Sequence, residues 1–310
     1  MQAIRVHHFG GLDSLVAEDV PRPTPGDGEV LLRVKAAGVG PWDAWIRSGR
    51  SVLPQPLPLT LGSDVAGLVE YVGAGVPQFR AGDGVFGATN ARFTGGYAEY
   101  AVALATTLAK MPQRMGFIEA ASVPVVACTA WQIIVECGAV DATKRVLVHG
   151  AAGNVGAYAV QLARRLAHEV VATALSDDVA YVQTLGVDQV IDVQKSRFEE
   201  VLAGVDVVLD TIGGDTQDRS FAVLKPGGVL VSTVAAPDQE KAARHGVRAL
   251  FFLVEVSSSR LEQIAALIEA GELITSVGDV LPLAAARIAH EMLAGKPHKR
   301  GKIVLRVDGT

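Results

Sequence analysis

KRVLVHGAAGNVGAYAVQLA, residues 144–163, is the stretch that decides the fold. An apolar run at 146–148 has the pattern of a strand, glycines follow at 150, 153 and 156, and a helical pattern begins at once. In a strand–turn–helix unit each glycine answers a different backbone demand. Gly150 makes the tight turn, Gly153 lets the main chain approach a diphosphate, and Gly156 lets the helix pack closely on the strand. The start of the helix then offers free N–H groups and a partial positive charge. Glycine serves ordinary turns too, so the flanks carry weight. Val155, Ala159, Leu162 and Leu166 share one face at helical spacing, and a second strand pattern follows at 169–173. The stretch reads as a βαβ nucleotide-binding unit.

Size and composition narrow the classes. A chain of 310 residues buries roughly three quarters of its unfolded surface, enough for one large or two ordinary domains without disulfide or metal. Its net charge of −5 is spread among interspersed signs, which leaves no basic tract for nucleic acid and no polybasic segment for a membrane surface. The start, MQAIRVHHFG, lacks the pattern of a secretory signal. The longest uncharged run, 120–135, has 16 residues and contains Pro124, Ser122, Thr129 and Gln132. That is short for a membrane span and reads as a buried helix. Two cysteines, Cys128 and Cys137, build neither a disulfide framework nor a four-cysteine metal site. A soluble cytoplasmic protein is expected.

Nine of the 14 prolines lie before Met115, among short β-branched runs such as 30–34 and 67–72, the mark of a turn-rich β domain. From about residue 117 helices alternate with apolar strands at 146–148, 170–173, 189–191, 205–209 and 229–232. This alternation predicts a parallel sheet with helices on both faces. The run VRALFFLVEV, 247–256, reads as one more strand, either central and buried on both faces or an edge that pairs with a second subunit. Helices at 261–270 and 283–293 and a strand at 303–307 close the chain.

In order, the segments GVGPWDAWIRSG, LGSDVAGLVEYVGAGV, GDGVFG, GGYAEY, HGAAGNVG and RGKIVL resemble the medium-chain dehydrogenase/reductase superfamily. Their likeness is to its zinc-free quinone oxidoreductase-like, or zeta-crystallin-like, branch, over essentially the whole chain. The resemblance implies an α/β fold: a doubly wound parallel Rossmann sheet, 117–257, inserted in a GroES-like β-rich catalytic domain, 1–116 and 258–310. It also implies a cofactor in the cleft between them and a homodimer joined through Rossmann edge strands. The three positions where zinc relatives place thiolate, imidazole and thiolate hold Gly40, Ser63 and Val125, and no cysteine lies between Asp83 and Lys110 for a structural zinc lobe. No zinc is expected.

Cofactor contacts carry over from the resemblance residue by residue. Thr129 in CTAW matches a threonine beside the nicotinamide, and Ala152 belongs to the phosphate loop. Asn154 and Val155 match main-chain donors to the diphosphate. Val234 and Phe252 match positions that hold the carboxamide through backbone atoms, residues 210–214 pass near the adenosine half, and Lys302 is a candidate for the cofactor rim. About 20 residues past the cradle, NAD enzymes place an acid on the ribose 2′-hydroxyl. Thr173 takes that place in ATALSDD and Ser176 offers a second hydroxyl, which points to NADP(H). Against it, Asp177, Val179 and Val193 stand where relatives carry a cation or a tyrosine, so NAD(H) stays open as the alternative. Lys195 or Arg197 are the cations near enough in sequence to fold back.

A nicotinamide without metal passes hydride to a carbon already electrophilic by conjugation, such as a quinone or the β-carbon of an enal or enone. Donors must then meet the charge on the distant oxygen. The segment after Gly40 becomes the expected pocket wall, where Trp42 and Trp45 supply planar apolar surface. Phe93 and Tyr97 on ARFTGGYAEY are further candidates. No side chain is assigned as the proton donor, and solvent takes that role. Two other readings remain: an enoyl-thioester reductase, and a non-catalytic module that binds a nicotinamide nucleotide.

Overall fold

The computed structural model describes residues 1–307. The chain divides into two units, Met1–Cys128 with 255–307, and Thr129–Val254. The first boundary lies beyond the expected 116/117 because helix Phe117–Ala121 packs on the sheet of the first unit, and because the Val125 N–H donates to Asp64 there. The uncharged run 120–135 is not one helix. Pro124 has no N–H to continue a helix but suits its first turn, so Phe117–Ala121 ends and Pro124–Trp131 starts afresh, followed by a π-helical turn at Gln132–Cys137.

In the second unit six parallel strands lie in the order Gln189–Asp192, Glu169–Ala174, Arg145–Val148, Val205–Asp210, Leu224–Ser232 and Arg248–Phe251. Numbered along the chain this is 3-2-1-4-5-6, the doubly wound order, in which ligands bind beyond the carboxyl ends where the winding reverses. Here the reversal falls between Arg145–Val148 and Val205–Asp210. Val146, Leu147 and Val148 are fully buried, as a strand covered on both faces must be. Helix Asn154–Leu166 buries Ala159 and Leu162 and places Arg164 and Arg165 in its last turn, where cations suit the helix dipole. The run 247–256 forms a strand only at Arg248–Phe251, because the neighbouring ladder ends at Ser232↔Phe251. It lies at the sheet edge, with Phe251 and Leu253 exposed.

The first unit holds a sheet in the order Val277–Pro282, Lys302–Arg306, Glu29–Val39, Asp64–Val72, Gly84–Ala88 and Leu108–Lys110, with Tyr100–Leu104 also paired to Glu29–Val39. A three-stranded sheet joins Leu15–Asp19, Gln2–Val6 and Leu59–Thr60. Inward side chains such as Val30, Leu32, Val34, Val65, Val85 and Leu305 form one core. Among the described residues no helix is long and apolar enough to cross a membrane.

Candidate active site

Gly150 and Gly156 meet the steric demands placed on them. Gly150 has φ +68°, and a Cβ there would lie 2.4 Å from Thr211 Oγ1. At Gly156 a Cβ would lie 2.2 Å from the Gly150 carbonyl oxygen. Gly153 is the helix N-cap, exposed, with only the Gly150 oxygen near its missing Cβ, at 3.2 Å. The first helical N–H groups, of Asn154, Val155 and Gly156, have no partner within the helix. They sit half-buried or buried at the turn, with Ala152 half-buried beside them. A loop that only glycine can build, opening onto free N–H groups, fits a nucleotide diphosphate.

Beneath this turn lies a polar network that the sequence did not announce. His149 is fully buried, with Nδ1 3.0 Å from Thr173 Oγ1 and Nε2 3.0 Å from Ser220 Oγ. Burial holds its ring down at about 4, so the imidazole is neutral. Its carbonyl accepts from Thr211 Oγ1 at 2.8 Å, which ties the cradle to the loop after strand Val205–Asp210. Asp210 organises that loop. Its Oδ1 accepts the N–H groups of Ile212 and Gly213, and its Oδ2 accepts from Gln217 Nε2 and Ser232 Oγ. A buried carboxylate with four donors is fully satisfied.

Thr173, expected beside the ribose, lies against this network. It is 3% exposed and its hydroxyl belongs to His149, because the strand's alternation turns it toward the network. Ser176 is half-buried, and its Oγ donates to Asp192 Oδ2 at 2.7 Å. Lys195 Nζ reaches the same oxygen at 2.9 Å. Together they hold the Asp192 carboxyl below its ordinary range. Arg197 turns instead to Glu199. Val234 is exposed, with its N–H toward Ser232 Oγ, Phe252 is half-buried past the edge strand, and Thr129 is buried in helix Pro124–Trp131.

The first unit carries a second cluster. Asp43 caps helix Pro41–Arg47, with Oδ2 accepting from the Gly40 N–H at 2.8 Å and from Tyr97 OH at 2.9 Å. Burial pushes Asp43 up to about 7, against the pull of Gly40, Lys302 and Tyr97. Asp64 is fully buried beside Lys302, Oδ2 to Nζ 2.8 Å. Burial raises the Asp64 carboxyl, opposed by Lys302 and the Val125 N–H. The Lys302 ammonium lies 4.2 Å from the Trp42 ring centre. At 1% exposure Lys302 is no rim residue: its charge is spent inside the sheet on Asp64. Trp42 is half-buried against the core and Trp45 is 43% exposed. The two rings expected to form one wall thus lie in different surroundings. Phe93 packs partly against the same core from a turn where its φ is +60°.

Residues 26–113 match the alcohol dehydrogenase GroES-like domain family, and residues 185–305 the zinc-binding dehydrogenase family. Human quinone oxidoreductase is 31% identical over 322 residues, covering 98% of this chain and 97% of the relative. The chain belongs to the medium-chain dehydrogenase/reductase superfamily, in its quinone oxidoreductase-like branch. Solved members bear this out. A quinone oxidoreductase from Coxiella burnetii has a TM-score of 0.91 at 31% identity, covering 99% of each chain. A structure described as an NAD-dependent alcohol dehydrogenase gives 0.90 at 31%, over 99% of this chain and 100% of that one. A mycobacterial protein complexed with NADPH gives 0.87 at 31%, over 99% of each.

Within this superfamily a zinc ion calls for thiolate and imidazole donors, and the residues present do not fit one. Gly40 and Val125 carry no donor atom and Ser63 only a hydroxyl. A Cβ at residue 40 would lie 2.3 Å from Trp42 Cη2, so a side chain there would have to displace the indole. Among the described residues no three His, Cys, Asp or Glu side chains form a metal-holding group.

Proposed function

We propose that this protein is an NADPH-dependent, zinc-free reductase that delivers hydride to a quinone or to the β-carbon of an α,β-unsaturated carbonyl. The observation that carries the reading is the 150–156 turn, which needs glycine at Gly150 and Gly156 and whose exposed end presents the N–H groups of Asn154 and Val155. The nicotinamide, when bound, supplies the hydride. Asn154 and Val155 bind the diphosphate, while Ser176 and Lys195, one of the two cations the sequence offered, meet the ribose 2′-phosphate. The mycobacterial relative complexed with NADPH supports the same choice.

Gly40, Ser63 and Val125 support a reaction that needs no Lewis acid, and that favours acceptors activated by their own conjugation over simple alcohols. Trp42 offers a flat apolar face for such acceptors, and solvent supplies the proton. The exposed edge strand Arg248–Phe251, with Phe251 and Leu253 beside it, supports pairing of two copies into a homodimer.

The test is calorimetric titration with NADPH and with NADH, then turnover of quinones, enals, enones and an enoyl thioester followed by loss of reduced-nicotinamide absorbance. Tighter NADPH binding with quinone or enone turnover is expected. Tighter NADH binding overturns the cofactor assignment, turnover of the thioester alone selects an enoyl reductase, and binding with no turnover selects a non-catalytic module.

A further inference from the structure

Strand Glu29–Val39 runs between two strands that carry opposite charges. Lys302 opens the strand on one side, where Ile303 pairs with Val39 and Val304 with Gly38. Asp64 opens the strand on the other, where Val65 pairs with Ala37. The two side chains meet across Gly38, and only glycine leaves them room. A Cβ on Gly38 would lie 2.9 Å from Asp64 Cβ, 3.0 Å from Lys302 Cε and 2.3 Å from the Ala121 carbonyl oxygen. The resulting pair, 2.8 Å apart, is sealed from solvent at 1% and 0% exposure.

The ammonium has a second neighbour. It sits 4.2 Å from the centre of the Trp42 ring, within cation–π range, where desolvation strengthens the attraction. The same indole lies over Gly40, its Cη2, Cζ2 and Cε2 within 2.3 to 2.6 Å of where a Cβ would be. Gly40 is thus the residue that lets the ring fold inward, and Lys302 is the group that holds it there. Asp64 extends the construction to a third place, since its Oδ1 accepts the Val125 N–H at 3.0 Å. Gly40 and Val125 are two of the positions where zinc-dependent relatives carry ligands, and at the first of them an aromatic ring beside a buried ammonium takes the room of a side chain.

We infer that Lys302 is a positioning residue: anchored by Asp64 across Gly38, its ammonium fixes the Trp42 indole over Gly40, and so sets the face offered to a flat substrate. The geometry of the clamp is independent of the reaction; its effect on substrate binding rests on the function proposed above.

Two measurements test the clamp without turnover. In the unaltered protein, the Lys302 ε-methylene protons are shielded by the indole face and resonate upfield of ordinary lysine; an unshifted resonance overturns the inference. In a chain with Trp45→Phe and Trp131→Phe, Trp42 is the lone tryptophan. There, Lys302→Met combined with Asp64→Asn releases the ring without leaving a buried charge. Trp42 emission then shifts to the red and acrylamide quenching rises, whereas Lys302→Arg keeps both near the starting values. A folded double variant with unchanged emission and quenching overturns the inference. With all tryptophans present, the double variant raises the KM for a quinone about tenfold with a smaller change in kcat. If the emission shifts and no substrate turns over in any variant, the clamp stands and the proposed reaction falls.

Discussion

The α-carbon of Gly156 abuts the carbonyl of Gly150, so that a single added methyl would lie 2.2 Å from that oxygen and 2.8 Å from the Ala151 α-carbon. Gly153, three residues earlier, has extended backbone at φ −75° and no such crowding. The two positions therefore separate folding from binding. Gly156→Ala is expected to lose about 1–3 kcal/mol of stability by overpacking, with nucleotide affinity falling alongside. Gly153→Ala is expected to stay within about 1 kcal/mol of the parent while NADPH binding weakens at least as much. Thermal denaturation and calorimetry on both variants check this; equal destabilisation by the two substitutions contradicts it.

His149 makes stability depend on acid. Its ring is fully buried between two hydroxyls and stacked edge-on to Phe198 at 4.6 Å. The folded chain protonates it only at about 4, against 6.5 for an ordinary histidine. Below 6.5 the unfolded chain takes up a proton that the native chain refuses. The contribution is present above 6.5 and is lost as the pH falls toward 4, reaching about 3 kcal/mol. His149→Gln, which cannot take the proton, is expected to flatten the fall in urea-unfolding midpoint across that window. An unchanged slope counts against the assignment.

The legible parts of this chain were those in which neighbours in sequence share one constraint. The three cradle glycines and the alternating strands announced the doubly wound sheet because each demand is local. His149 stood next to that pattern and still gave no signal, since Thr173 and Ser220 lie 24 and 71 residues away. The contact of Thr173 with His149 was hidden for the same reason: a strand covered on both faces does not reveal which way each side chain points. Lys302 in RGKIVL was a candidate for the cofactor rim, and only the pairing of three strands around Gly38 reveals Asp64 as its partner. The metal positions, by contrast, were readable as missing donors, although the folding of Trp42 into that room was not.

Asp43 works in the opposite sense to His149. Both donors meet Oδ2, from Gly40 N–H and Tyr97 OH, and Oδ1 has no partner. With its carboxyl at about 7 in the folded chain and 3.8 as its ordinary value, the native state holds the extra proton. Its contribution is complete below 3.8 and is lost as the pH rises to about 7, by as much as about 4 kcal/mol. Asp43→Asn keeps an oxygen for both donors and has no charge to bury. The variant is expected to unfold later than the parent above pH 7, with the gap closing in acid; a variant less stable at every pH contradicts the argument.

The proposed preference for NADPH gives Lys195 a testable role. Its ammonium and the Ser176 hydroxyl share Asp192 Oδ2, at 2.9 and 2.7 Å, so a phosphate drawn to Ser176 meets a cation already in reach, though one paired with a carboxylate. Charge-assisted contacts of this kind are worth about 1.5–3 kcal/mol, roughly ten- to a hundredfold in affinity. Lys195→Ala is therefore expected to weaken NADPH by that factor and to leave NADH, which lacks the 2′-phosphate, unchanged. Asp192→Asn removes the competing anion and is expected to hold NADPH at least as tightly as the parent. The ratio of the two dissociation constants, measured by fluorescence titration at fixed salt, is the readout. A Lys195→Ala chain with its NADPH-to-NADH ratio intact shows that the 2′-phosphate is met by other groups, or by none.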